Sequence, residues 1–147
     1  MRLTLILAVV SFIGIWLGIS AFFVFLFFYG CKDASIWAFL AGLLSAMNFH
    51  LHYLYLREKL HSWHTVESLL HMKHLGFFMF VSSSASMAWY IFQFIYNHSG
   101  IYPISESRQI MAIWAFMTAK WSGSLIYSCH KYLKYLTSHS YLPLSAN

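Results

Sequence analysis

The sequence predicts an all-α integral membrane protein of four transmembrane helices with both termini in the cytosol. Charged residues make up only 9% of the chain and hydrophobic ones 60%. Soluble domains are about 25% charged, so a soluble fold of this composition would lack the polar surface to stay dissolved. Four apolar blocks, residues 3–29, 35–56, 75–96 and 109–129, each supply the ~20 residues that carry a helix across a hydrocarbon core of ~30 Å. No alternating strand pattern competes with them, which argues against a transmembrane barrel. Lysine and arginine then orient the spans. Arg2, Arg57, Lys59, Lys73, Lys131 and Lys134 fall on the side shared by the termini and the middle loop, and only Lys32 and Arg108 on the other. Cytosolic loops are the basic ones, so the termini are expected inside.

The first block follows Arg2 and resembles a secretory signal at its start. It runs on to Tyr29 without a small-residue cleavage site, so it reads as a retained span. Within it Gly14 and Gly18 form a GxxxG pair that lets another helix approach closely, in this chain or in a second copy. The net charge of +5 is spread between apolar blocks as a topology signal, and nucleic acid is not an expected partner. Cys31 and Cys129 are expected on opposite membrane faces, too far apart for a disulfide.

The second block carries the densest chemistry. Ser45, Asn48, His52 and Tyr55 fall within about 80° of one another at 100° per residue. Lipid penalises such a row, so it should face the bundle interior, as an iron- or substrate-binding stripe or as interhelical hydrogen-bond glue. His50, two residues from His52, points the other way and can reach the headgroups. In the third block Ser82, Ser86, Trp89 and Gln93 share a face that reads as ordinary helix packing. The Asn97-His98-Ser99 sequence after it matches a glycosylation pattern, but it abuts the span so closely that it should stay unmodified.

The fourth block holds Lys120 in mid-span, with Trp121 beside it and Ser124, Tyr127 and Lys131 following on the same face. The four acidic residues, Asp33, Glu58, Glu67 and Glu106, all lie outside the predicted spans. Lys120 must therefore snorkel, lose its proton or meet an anion brought from elsewhere, such as the carboxylate of a ligand. Six of the nine histidines lie between positions 50 and 74. His61, His64, His71 and His74 would share one face if the helix continued through the middle loop. Their HxxH spacing suits metal ligation, and equally a solvated loop. The segment 130–147 is expected to be a short cytosolic tail, partly mobile.

These residues resemble the haem-responsive-gene family of small four-span haem transporters. The resemblance covers most of the chain and is weakest in the first block. It is carried by His52-Tyr53-Leu54-Tyr55, Trp63, His98 in the outer loop, Trp114-Ala115-Phe116 followed by Lys120-Trp121, and Ser128-Cys129-His130-Lys131-Tyr132. The last resembles the family's C-terminal box of aromatic, small, basic, basic, tyrosine. Here the aromatic stands one residue early, at Tyr127, with Ser128 in the first position. The resemblance implies transport of haem from the extracellular space or an endolysosomal lumen to the cytosol, without enzymatic activity. Haem is then the transported substrate, and the expected partners are the bilayer and further copies of the chain in a homo-oligomer.

Haem chemistry fits the residue types: iron takes His or Tyr, propionates take Lys, and the ring takes aromatic walls. The resemblance implies iron ligands at successive stations, His98 outside, His52 on the inner stripe with Tyr55, and His130 with Lys131 and Tyr132 at the exit. Lys120 and Lys131 would guide the propionates. Two other classes compete. A membrane di-iron enzyme would use the His61–His74 cluster, although such enzymes carry more histidines and adjacent pairs. A haem-holding electron carrier would need paired histidines at matching depth on two helices, where only His52 is convincingly internal. Tyr141-Leu142-Pro143-Leu144 fits a tyrosine-based sorting pattern, which suits an endosomal or lysosomal membrane, with the plasma membrane as the alternative.

Overall fold

A computed structural model describes residues 1–98 and 107–140. Five α-helices account for nearly all of them: α1 (Arg2–Phe23), α2 (Lys32–Leu56), the short α3 (Leu60–Trp63), α4 (Val66–Asn97) and α5 (Arg108–Ser140). Among the described residues there is no strand. Three helical stretches are long and apolar enough to cross a membrane, namely Arg2–Phe28, Lys32–Leu56 and Val66–Asn97. The expected fourth span, in α5, does not reach the apolarity of those three. Lys120 and the hydroxyls of Thr118, Ser122 and Ser124 interrupt its apolar run.

Two boundaries differ from expectation. α4 starts at Val66 rather than near position 75, because Thr65 caps it: its Oγ1 accepts the Ser68 N–H at 3.1 Å, and Glu67 sits in the positive first turn. α5 continues to Ser140, so residues 130–140 are helix rather than a loose tail. The reason is visible in its buried seam. Met111, Ala115, Thr118, Ser122, Leu125, Cys129, Tyr132 and Leu136 are all buried and alternate by four and three residues, a heptad pattern that runs well past the last apolar block.

Helix neighbours follow the order α1, α2, α5, α4, with the central pair α2 and α5 parallel and the outer pairs antiparallel. α1 thus begins, and α5 ends, at the end of the bundle that carries the α2–α4 connection. The GxxxG pair of α1 is used inside the chain. Gly18 lies against the backbone of Gly42, and Gly14 against Ser45 and the Trp121 ring. α1 ends in a π-helical turn, Val24–Phe28, before Gly30 takes φ 66° and reverses the chain into α2.

On α4 the buried residues are Leu69, Gly76 and Ser83, a seven-residue repeat. Gly76 lets α4 approach the Ser122 carbonyl of α5. The packing face is therefore rotated from the expected Ser82–Ser86–Trp89–Gln93 row, and Trp89 is exposed and stacked on Phe92. Both cysteines are free, Cys31 packed with Ala34 and Met111 and Cys129 with the main core.

Candidate functional site

The parallel contact between α2 and α5 carries the polar interior. Ala34, Ala38, Ala41, Ser45, Asn48 and His52 are all buried and alternate by four and three residues along α2. The polar row read from the sequence is the second half of that seam. Ser45 Oγ donates to the Ser11 carbonyl of α1 at 2.5 Å. Asn48 is the hub: Nδ2 donates to the carbonyls of Leu44 (3.0 Å) and Trp121 (3.1 Å), while Oδ1 accepts from Ser128 (3.2 Å) and Ser124 (3.4 Å). Every hydrogen-bonding capacity of a fully buried amide is thereby used, as a low-dielectric interior demands.

One turn further on, His52 Nδ1 lies 2.6 Å from the Tyr132 hydroxyl. His52 is 3% exposed and Tyr132 is fully buried. Around the pair the Tyr55 ring lies 5.0 Å from Tyr132, the Tyr135 ring 5.3 Å from Tyr55, and Lys131 Nζ 5.8 Å from the Tyr55 ring and 5.9 Å from that of Tyr132. The cluster unites an imidazole, a phenol, a wall of aromatic faces and a cation. With Nδ1–H donating to the phenol oxygen, the imidazole's Nε2 carries the lone pair that a metal takes. Four residues expected at two separate stations, His52 and Tyr55 on one and Lys131 and Tyr132 on the other, thus come together in one cluster.

The remaining candidates stand apart from it. His130 is exposed, on the other side of α5 from Tyr132, with Nδ1 3.5 Å from Lys73 Nζ of α4. The C-terminal box therefore splits across two faces of one helix. Its altered first position has a physical reason: Ser128 is buried against Asn48, where an aromatic ring would not fit, and Tyr127 projects outward. His98 is exposed at the opposite end of the bundle, where it ends α4 with φ 47°. The glycosylation pattern around it extends to Ser99, outside the described residues, as does the Tyr141–Leu144 sorting pattern.

Lys120 lies in the first half of α5. Its Nζ sits 5.3 Å from the Trp121 ring centroid, and among the described residues no carboxylate pairs with it. It lines a cavity of about 140 Å³ between α1 and α5, whose other walls include Ile13, Leu17, Trp114, Met117 and Trp121. One cation at the edge of an apolar cleft is a setting for an amphiphile carrying an acid group.

The loop histidines do not converge. α2 closes with a Schellman turn in which Lys59 N–H donates to Leu54 and Glu58 N–H to Tyr55, Glu58 taking the left-handed conformation at φ 56°. This breaks the helix that would have aligned His61, His64, His71 and His74. His71 meets Glu67 at 3.7 Å on the surface. His64 instead turns back to His50, and burial, with His50 beside it, pushes its imidazole below the usual histidine range. Among the described residues no three His, Cys, Asp or Glu side chains come together as a metal cluster. His52, the internal histidine, has Tyr132 rather than a second histidine across from it.

Tyr135 and Asn48's full role were not read from the sequence as site features. Tyr135 had a usable signal, since it stands three residues after Tyr132 on a seam that runs on to Leu136. The α5 partners of Asn48 lie 73 to 80 residues away and carry no local signature. Comparison of the chain with family models, curated proteins and solved structures gave no match.

Proposed function

We propose that this chain is a four-span membrane transporter that moves haem from the extracellular space or an endolysosomal lumen into the cytosol, by transfer between His, Tyr and Lys groups. The observation that carries the reading is the buried His52–Tyr132 pair with its aromatic wall and flanking Lys131. A histidine and a tyrosine are both iron ligands, the tyrosine rings offer flat faces to a porphyrin, and Lys131 can meet a propionate. Transport needs sites strong enough to capture and weak enough to release. A histidine whose Nδ1–H stays bonded to the phenol meets that need, because it offers iron a single oriented Nε2 ligand and keeps its hydrogen bond when the iron leaves.

In this reading α5 is the fourth span, its Lys120 tolerated because the cleft between α1 and α5 brings the cation an anion from outside the chain. Both termini lie in the cytosol, on the side where the basic loop residues gather, and His98 at the far end of α4 receives haem. His130 and Lys73 form the last basic step on the cytosolic side. The resemblance to the haem-responsive-gene transporters supports the same direction of transport. The chain acts as a carrier and catalyses no reaction on haem.

The reading is tested in a cell unable to make haem, grown on low external haem with and without this protein. Rescue of growth and accumulation of cytosolic haem are expected. Expression at the membrane with no gain in growth or haem content would overturn it.

A further inference from the structure

Outside the haem site, the α2–α4 connection brings two histidines together that the sequence keeps fourteen positions apart. After the Schellman turn at Glu58, α3 folds back along the last two turns of α2, held by the buried Leu60. His64 then ends α3 with its ring centroid 5.4 Å from that of His50, at an interplanar angle of 79°. Trp63 flanks the same histidine at 6.0 Å.

Three observations point to a ligand at this pair. The first is spacing. Two imidazoles on one tetrahedral ion, each with a metal–nitrogen bond of about 2.0 Å, hold their ring centroids roughly 5 Å apart. The second is an orphaned atom: His64 Nε2 is buried and has no hydrogen-bond partner. The third is its orientation. His64 Nδ1 lies 3.1 Å from Ser68 Oγ, and the Ser68 backbone N–H is itself fixed by Thr65 Oγ1. With Nδ1–H donating to that hydroxyl, the lone pair is on Nε2, the arrangement that an outer partner imposes on metal-bound histidines.

We infer that His50 and His64 form a binding site for a Zn²⁺-type transition-metal ion at the α2–α4 connection, oriented by Ser68 and completed by water or an exogenous anion. Bound there, the ion ties the end of α2 to the start of α4 and stiffens the connection.

The test uses the full-length, haem-free protein in detergent. It is titrated with Co²⁺ as the optical stand-in, then back-titrated with Zn²⁺. One Co²⁺ per chain is expected, with the strong visible absorption of a four-coordinate site, displaced by Zn²⁺. His50→Ala or His64→Ala should weaken binding more than tenfold, and Ser68→Ala about tenfold, within the usual range for an outer-shell partner. The triple variant His61→Ala, His71→Ala, His74→Ala should bind as the parent does. His50→Cys guards against loss through misfolding, since a thiolate keeps the site and adds a sulfur-to-cobalt charge-transfer band. Absence of stoichiometric binding, indifference to both single alanine variants, loss in the triple variant, or no charge-transfer band in a folded His50→Cys protein would each overturn the inference.

Discussion

His52 Nδ1 and the Tyr132 hydroxyl sit 2.6 Å apart across the α2–α5 interface, eighty residues apart in sequence and both buried. Each is the other's hydrogen-bond partner in a setting where water is not at hand. That relationship decides what removing either one does, and it couples the site's stability to its chemistry.

Replacing Tyr132 by Phe strands the His52 nitrogen and replacing His52 by Ala strands the phenol. Each single change should lower stability by about 1–3 kcal/mol, the cost of leaving a buried polar group unpaired. The double variant should cost less than the sum of the two, with a coupling on the order of 1 kcal/mol. Unfolding in detergent across the four proteins measures it. Additive losses would mean that the bond is not formed.

Asn48→Leu removes a hub that serves two carbonyls and two hydroxyls. Hydrogen bonds between membrane helices average only ~0.6 kcal/mol each, but several are lost together here. A loss of roughly 1–3 kcal/mol is expected, with α2 and α5 loosened at the level of Trp121. A disulfide-trapping or protease-sensitivity assay across that interface reads the loosening directly. An unaltered protein would show that the hub is incidental.

The two facing glycines of α1 and α2 should respond unequally to alanine. A Cβ at Gly18 would meet the backbone of Gly42 at 2.5 and 2.7 Å, which side-chain repacking cannot relieve, whereas a Cβ at Gly42 makes ordinary contact at 3.4 Å. Gly18→Ala should therefore cost about 1–3 kcal/mol, the usual range for overpacking, and Gly42→Ala much less. Equal thermal midpoints for the two variants would contradict this packing.

Helix phase was legible before the structure. The row Ser45, Asn48, His52 and Tyr55 turns inward and His50 outward, because lipid and backbone geometry act residue by residue. Helix ends were less legible. α5 reaches Ser140 through Cys129, Tyr132 and Leu136, a heptad continuation hidden among lysines and hydroxyls that an apolar-block reading discards. What the sequence withheld entirely was pairing: that α5 packs along α2 where α4 only touches it through Trp37 and Tyr90, so that Tyr132 meets His52 while His130, two residues away, does not. Such contacts depend on side chains more than seventy positions apart, and no local pattern encodes them.

Under the proposed haem transport, Lys120 tests the role of the propionates separately from that of the iron. Lys120→Met removes a cation with no carboxylate partner among the described residues, so stability should hold or rise. Haem affinity should fall about tenfold, the loss of a charge-assisted contact worth ~1.4 kcal/mol, and Lys120→Arg should restore most of it. Equal haem affinity in parent and Lys120→Met would remove the α1–α5 cleft from the transport path.

The most direct measurement of the central claim is a Soret titration of the purified protein with haem, parent against His52→Ala, with haem uptake followed in cells expressing each. A saturable, shifted Soret band in the parent that is lost or displaced in His52→Ala, together with reduced uptake, is the predicted result. Identical spectra and identical uptake in the two proteins would contradict it.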